Sequence, residues 1–292
     1  MQYRDEILRQ VKKIEISTKH LVDGLLTGNY HSVFKGQGIE FSEIREYRIG
    51  DDIRSIDWNV TARFNHPYVK EFIEERDLRI YFLIDMSASG SFGRSIQKKR
   101  KMLEISASLM FSAFRNNDKI GVLLFTDTVE QFMPARKGKK YLLKILTKLL
   151  TFAPNSKHTD IATAMKQAGK ILKKRSVLFV ISDFIYSGDF SHPLKVLRAR
   201  HDVIAIKISD LREEKIPDVG LIELEDEETG EQILVNTSDP EFQRNYTDIV
   251  ADSETKLTQQ LRKQKIDFLK VRSDEEYAVP LKKFFRKRIR RH

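Results

Sequence analysis

The chain has 292 residues, with 52 Lys+Arg against 42 Asp+Glu, seven histidines, no cysteine and a formal net charge of +10. Hydrophobic residues make up 40 % and charged residues 32 %, a globular balance. The missing thiols exclude a disulfide framework, a thiolate zinc site and a cysteine nucleophile. No apolar run approaches the ~18 residues of a bilayer span. The opening MQYRDEILRQVKK is charged where a secretory signal needs an apolar core, so a soluble, cytoplasmic protein is expected.

Taken in chain order, Ile7, Leu8, Val11, Ile14, Leu21, Val22 and Leu25 recur at helical spacing and predict a helix ending near Leu26. From Gly28 to Asp77 the texture changes to short β-like runs rich in charge. After Asp77, apolar strands at Arg79 to Ile84, Ile120 to Phe125, Ser176 to Ile181, Val203 to Ile208 and Asp267 to Val271 alternate with helical patterns. Those helices are expected at Ser95 to Phe114, Lys139 to Leu150, Asp160 to Lys173, His192 to Ala199, about Glu241 to Lys263, and Tyr277 to Arg290. Runs such as VLFVIS lack polar alternation, as strands covered on both faces do. The expected fold class is α/β, a mostly parallel sheet with helices on both faces. Residues 1–77 are expected to form a small N-terminal α+β subdomain, and 78–292 the main domain.

Charge is unevenly spread. Residues 1–209 carry net +13, residues 210–254 net −12 and residues 255–292 net +9. Within the acidic stretch, GLIELEDEETGEQILVNT holds two alternating runs around a Glu-Thr-Gly turn and predicts an exposed β-hairpin, so 210–254 is expected as an acidic hairpin and helix insertion. Residues 131–153 hold six basic residues and no acidic one, and the tail ends LKKFFRKRIRRH. That tail is expected to pack by Leu281, Phe284, Phe285 and Ile289 with its charge outward, which leaves peripheral contact with an anionic membrane open. Nucleic-acid binding through these basic patches is a competing expectation that the opposed charges disfavour.

In an open α/β sheet, ligands bind at the carboxyl edge near the switch in strand order. The first core strand ends Asp85-Met86-Ser87-Ala88-Ser89, VLFVIS ends at Asp183, and Thr159 precedes the helix that begins near Asp160. Singly, each reads as a turn or helix cap. Together the oxygens of Asp85, Ser87, Ser89, Thr159 and Asp183 suit a hard divalent cation, Mg²⁺ or Mn²⁺, with a coordination position left open. Asp160 reads as a helix-start residue rather than a ligand. The seven histidines are scattered, with no H-x-x-x-H pair.

The D-x-S-x-S spacing with a later Thr and a later strand-end Asp resembles the metal-ion-dependent adhesion site of von Willebrand factor A domains. That resemblance implies direct ligation by Ser87 and Ser89, ligation by Thr159 directly or through water, and action of Asp85 and Asp183 mostly through water. His158 stands where a glycine is expected. The stretch GIEFSEIREYRIGDDIRSIDWNVTARFNHPYVKEF, Gly38 to Phe72, resembles the signature of the bacterial domain-of-unknown-function family fifty-eight. The likeness extends over about Gly28 to Asp183. The resemblance implies a von Willebrand factor A-like (Rossmann-like) domain acting beside a MoxR-type AAA+ ATPase on a client protein that offers an acidic side chain to the metal.

No Walker motif occurs, so any ATP hydrolysis is expected from another chain. The expected function is therefore a non-enzymatic, metal-dependent protein-interaction module. The alternative is a Mg²⁺-dependent phosphoesterase or other hydrolase held together by Asp85 and Asp183, against which no general base is evident. In the signature, Arg45, Arg48, Asp51, Asp52, Arg54, Asp57 and Arg63 are expected to form a structural ion-pair lattice, with Trp58 and Phe64 anchoring an interface.

Overall fold

A computed structural model describes residues 39–74, 78–87, 95–225 and 232–290, together with Lys12. The helix expected before Leu26 and residue Ser89 lie outside the described residues.

Two short strands, β1 (Ile39–Glu46) and β2 (Tyr68–Glu74), pair antiparallel as a separate sheet. Between them run a 3₁₀ turn at Ile53–Ser55 and the helix α1 (Trp58–Phe64). The acids of the signature hold this segment together. Asp57 caps α1 by accepting from Asn59 N (3.0 Å) and Val60 N (3.3 Å), and pairs with Lys70 at 3.2 Å. Asp52 caps the 3₁₀ turn. Asp51 accepts two bonds from the Arg45 guanidinium, at 2.7 and 2.9 Å, which hold its carboxyl down at about 2. Arg45 and Asp51 thus behave as the expected lattice, but Trp58 and Phe64 do not anchor an interface: they stand 66 % and 61 % exposed. A seven-residue helix packed through one face leaves the others to solvent, and Phe64 meets Tyr68 at a ring separation of 5.5 Å.

Among the described residues the main sheet has six strands, in the order β10-β7-β6-β3-β4-β5. They are β3 (Arg79–Asp85), β4 (Lys119–Phe125), β5 (Val129–Arg136), β6 (Val177–Ser182), β7 (Asp202–Ser209) and β10 (Asp267–Arg272). All neighbours are parallel except the edge pair β4–β5. Strand β5 was not expected from sequence. Its run VEQFMPAR carries charge and a proline, which only an edge strand accommodates.

The period-two alternation of the central strands sorts their side chains to two cores. Phe82, Ile84, Phe179 and Ile181 face α2 (Ser95–Arg115), α3 (Lys139–Leu150) and α8 (Ala278–Arg290). Leu83, Leu178 and Val180 face α4 (Ile161–Ile171), α5 (Ser191–Arg200) and α7 (Pro240–Lys263). This is the mostly parallel α/β sheet, covered on both faces, that the sequence pattern predicts.

After β7 comes the short helix α6 (Leu211–Glu214), then the hairpin β8 (Leu221–Glu225) and β9 (Gln232–Asn236), which forms its own two-stranded sheet. Helix α7 is the crossover into β10, and its Leu257 and Leu261 enter the core. The acidic segment is therefore part projecting hairpin and part structural helix. At the end of the described chain, α8 buries Leu281 and Phe285, and Arg288, only 3 % exposed, reaches Asp202 and Asp267. The tail helix is spent on the core as expected, with Lys283, Arg286 and Lys287 outward. No helix of the described residues is long and apolar enough to cross a membrane.

Candidate metal centre

Strand β3 has β6 on one side and β4 on the other, and the chain crosses from one side to the other between β4 and β6. The carboxyl ends of β3 and β6 therefore flank the topological switch, where adjacent loops diverge and leave a crevice. Asp85 closes β3, and Ser182-Asp183 close β6.

All described candidates are buried: Asp85 is 5 %, Ser87 2 %, Thr159 9 % and Asp183 1 % exposed. Ser87 donates to Asp85 Oδ1 from both its backbone N (3.0 Å) and its hydroxyl (2.6 Å). Ser182 donates its hydroxyl to Asp85 Oδ2 at 2.7 Å. Asp183 Oδ1 accepts from Ile185 N at 3.0 Å, and Oδ2 accepts from Lys98 Nζ at 2.8 Å. The strand-end turn is tight: Phe184 sits at φ 54°, a left-handed conformation that costs a bulky residue energy, and its N–H donates to Ser182 Oγ at 2.9 Å. Thr159 stands at the same carboxyl edge, because the N–H of the next residue, Asp160, bonds Thr126 O just past β4.

Desolvation pushes the Asp85 carboxyl up to about 6, and the neighbouring Asp183 charge adds to the rise against the hydroxyl bonds. Two buried carboxylates at adjacent strand ends thus repel, and Asp85 gains most from a nearby cation. Among the described residues no three His, Asp or Glu side chains converge as metal ligands. A cation here would rest on two carboxylates, hydroxyl oxygens and water, the donor chemistry of Mg²⁺ rather than zinc.

Asp160 is a helix cap, as expected. Its carboxylate accepts from Thr163 N (2.8 Å), Thr163 Oγ1 (2.7 Å) and Tyr186 OH (2.9 Å), and the last bond together with burial lifts Tyr186 to about 12. His158 is exposed.

Three residues of the cluster were missed from sequence. Ser182 is the last residue of VLFVIS, where period-two spacing could have placed it beside Asp85. Lys98 lies in a KKRK run that reads as solvated charge, yet it is 1 % exposed and joins Asp183 to Glu213 of α6. Glu213 lay hidden in the acidic stretch.

The family model described as "Protein of unknown function DUF58" matches residues 43–256. The chain belongs to this family. Uncharacterised proteins of Mycobacterium tuberculosis and Mycobacterium bovis are 30 % identical to it over 283 residues, 96 % of this chain and 89 % of theirs. An uncharacterised protein of Mycobacterium avium is 28 % identical over 160 residues, 54 % of this chain and 94 % of its own. A crystal structure of the conserved hypothetical protein BatB from Bacteroides thetaiotaomicron covers 73 % of this DUF58 chain and 99 % of its own, at 16 % identity and a TM-score of 0.45. Likeness at that level speaks to neither site nor function.

Proposed function

We propose that this DUF58 protein is a divalent-cation-dependent protein-interaction module of the von Willebrand factor A type, and not an enzyme. The observation that carries the reading is the buried oxygen cluster at the switch point, where Asp85 is bracketed by the Ser87 and Ser182 hydroxyls and repelled by Asp183. In this reading Ser87, Ser89 and Thr159 contribute ligand oxygens, and Asp85 and Asp183 hold the coordinated waters. The hydroxyl protons of Ser87 and Ser182 point to Asp85, so either serine oxygen would meet a cation as an acceptor and not as a donor. Mg²⁺ or Mn²⁺ would supply a Lewis-acid position for an acidic side chain of a client. The resemblance to MoxR-associated proteins supports an adaptor or co-chaperone role beside an AAA+ ATPase in the cytoplasm, remodelling or maturing that client.

The test is calorimetry of the full chain with Mg²⁺ and Mn²⁺, followed by affinity purification with Mg²⁺ and then with chelator. Saturable binding lost in Asp85→Ala, and partners released by chelator, are the expected results. Absence of divalent-ion binding by the wild type would sink the reading. Turnover of a generic phosphate ester that vanishes in Asp85→Asn would favour a hydrolase instead.

A further inference from the structure

Lys98 is costly where it stands. It is the fourth residue of α2, where the helix dipole favours anions, and it is 1 % exposed, where an ammonium loses its hydration. What offsets both costs is a pair of carboxylates. Lys98 Nζ donates to Asp183 Oδ2 at 2.8 Å and to Glu213 Oε1.

Glu213 is itself held in place. Its Oε2 accepts from Asp210 N at 3.1 Å in the capping box of α6, and its backbone carbonyl accepts from Tyr246 OH of α7 at 2.9 Å. Asp183 Oδ1 is engaged by Ile185 N, so Oδ2 is the oxygen that Lys98 and any incoming cation share. The formal charges make the same point. Asp85, Asp183 and the half-buried Glu213 exceed Lys98 by two formal negative charges, and one divalent cation cancels both.

We propose that Lys98 is the resident cation of this centre: it holds Asp183 when no divalent ion is bound and withdraws towards Glu213 when one is. The inference rests on the divalent-cation reading of the same cluster. Glu213 is what makes the exchange affordable, since Lys98 leaves Asp183 without being stranded in a dry site.

The test compares Mg²⁺ titrations of the full-length wild type, Lys98→Met and Lys98→Gln by calorimetry, with the lysine ¹³Cε spectrum of the wild type as a direct readout. Lys98→Arg, which keeps the charge and the pairing, identifies the Lys98 signal by its loss. The expected result is Mg²⁺ binding about tenfold or more tighter in Lys98→Met and Lys98→Gln, the factor that ~1.4 kcal/mol of competing ion pair represents. In the wild type the Lys98 signal is expected to move as Mg²⁺ saturates, a readout that stands even if the neutral variants fail to fold. Binding in Lys98→Met but not in wild type overturns the exchange together with the divalent-cation reading, since Lys98 then excludes the ion. Wild-type binding with an unmoved Lys98 signal, or with no tightening in the variants, overturns the exchange and leaves the divalent-cation reading intact. No binding by wild type or variants overturns both.

Discussion

Replacing Asp85 by Asn tests the electrostatic frustration of the centre without altering its shape. The wild-type carboxyl is lifted to about 6 by burial and by Asp183. Keeping it ionised at neutral pH therefore costs about 3 kcal/mol relative to an ordinary aspartate in the unfolded chain. Asn retains an oxygen for the Ser87 N and Oγ bonds at 3.0 and 2.6 Å, and its amide can donate to Ser182 Oγ. The expected outcome, in chelator at pH 7, is that Asp85→Asn is more stable than wild type by about 2–3 kcal/mol. The pH dependence carries a sign. With the folded pKa above the unfolded one, the Asp85 contribution is fully present below about pH 4 and is lost as pH rises through about 6, at up to ~1.4 kcal/mol per pH unit. Asn removes that slope. Urea unfolding followed by far-ultraviolet circular dichroism across this range measures both effects. Mg²⁺ at a hundred times its Kd adds ~2.7 kcal/mol to wild type alone and closes the gap, and at a thousand times its Kd the ~4.1 kcal/mol it adds reverses the order. A variant less stable than wild type in chelator, or pH curves that run parallel, would refute the reasoning.

The remaining predictions use other parts of the fold. His201 is buried with neither ring nitrogen hydrogen-bonded, and burial first, then Arg200 and Arg175, lower it to about 4. Its contribution has the opposite sign: stability falls as pH drops below about 6.5, by about 2 kcal/mol at pH 5. His201→Leu should abolish that acid limb in the same unfolding series and expose the Asp85 slope that it offsets; an unchanged limb would refute the assignment. Arg288→Ala should cost about 3–5 kcal/mol by leaving Asp202 and Asp267 without their cation, and hydrogen exchange in α8 should accelerate. Phe285→Ala, which removes a side chain 1 % exposed and packed on Phe179 at 6.5 Å, should cost about 3–5 kcal/mol in urea unfolding. Gly121→Ala would place a Cβ 2.4 Å from the Tyr81 ring and 2.9 Å from Ala135 N. It should lower stability by about 1–3 kcal/mol, most of it through displacement of Tyr81 and its 3.1 Å bond from Ala135 N.

The parallel core strands were legible because their runs are apolar without alternation, and the long helices because their apolar residues recur at helical period. Edge strand β5 was not, since its charges and proline resemble a loop until the antiparallel pairing with β4 is seen. The acidic hairpin was legible from its alternation. That α7 belongs to the main core was not, because only Leu257 and Leu261 of its 24 residues are buried. The segment charges also lose their simple meaning in three dimensions. Glu213, Glu214 and Glu254 of the acidic stretch pair with Lys98, Lys270 and Lys207 from the basic part, so part of the opposition visible in sequence is neutralised inside the molecule.

By itself the sequence determined the layered α/β class, the position of Asp85 and Asp183 at strand ends, and the exclusion of thiolate chemistry in a chain without cysteine. These follow from periodicity and composition, which are local properties. Only the tertiary structure decided that Ser182 rather than solvent satisfies Asp85, and that Lys98, thirteen residues past the end of β3, lies buried against Asp183 and Glu213. Such contacts join residues 85 to 115 positions apart. No short-range pattern encodes them; they exist because a parallel sheet brings the carboxyl ends of separate strands to one edge.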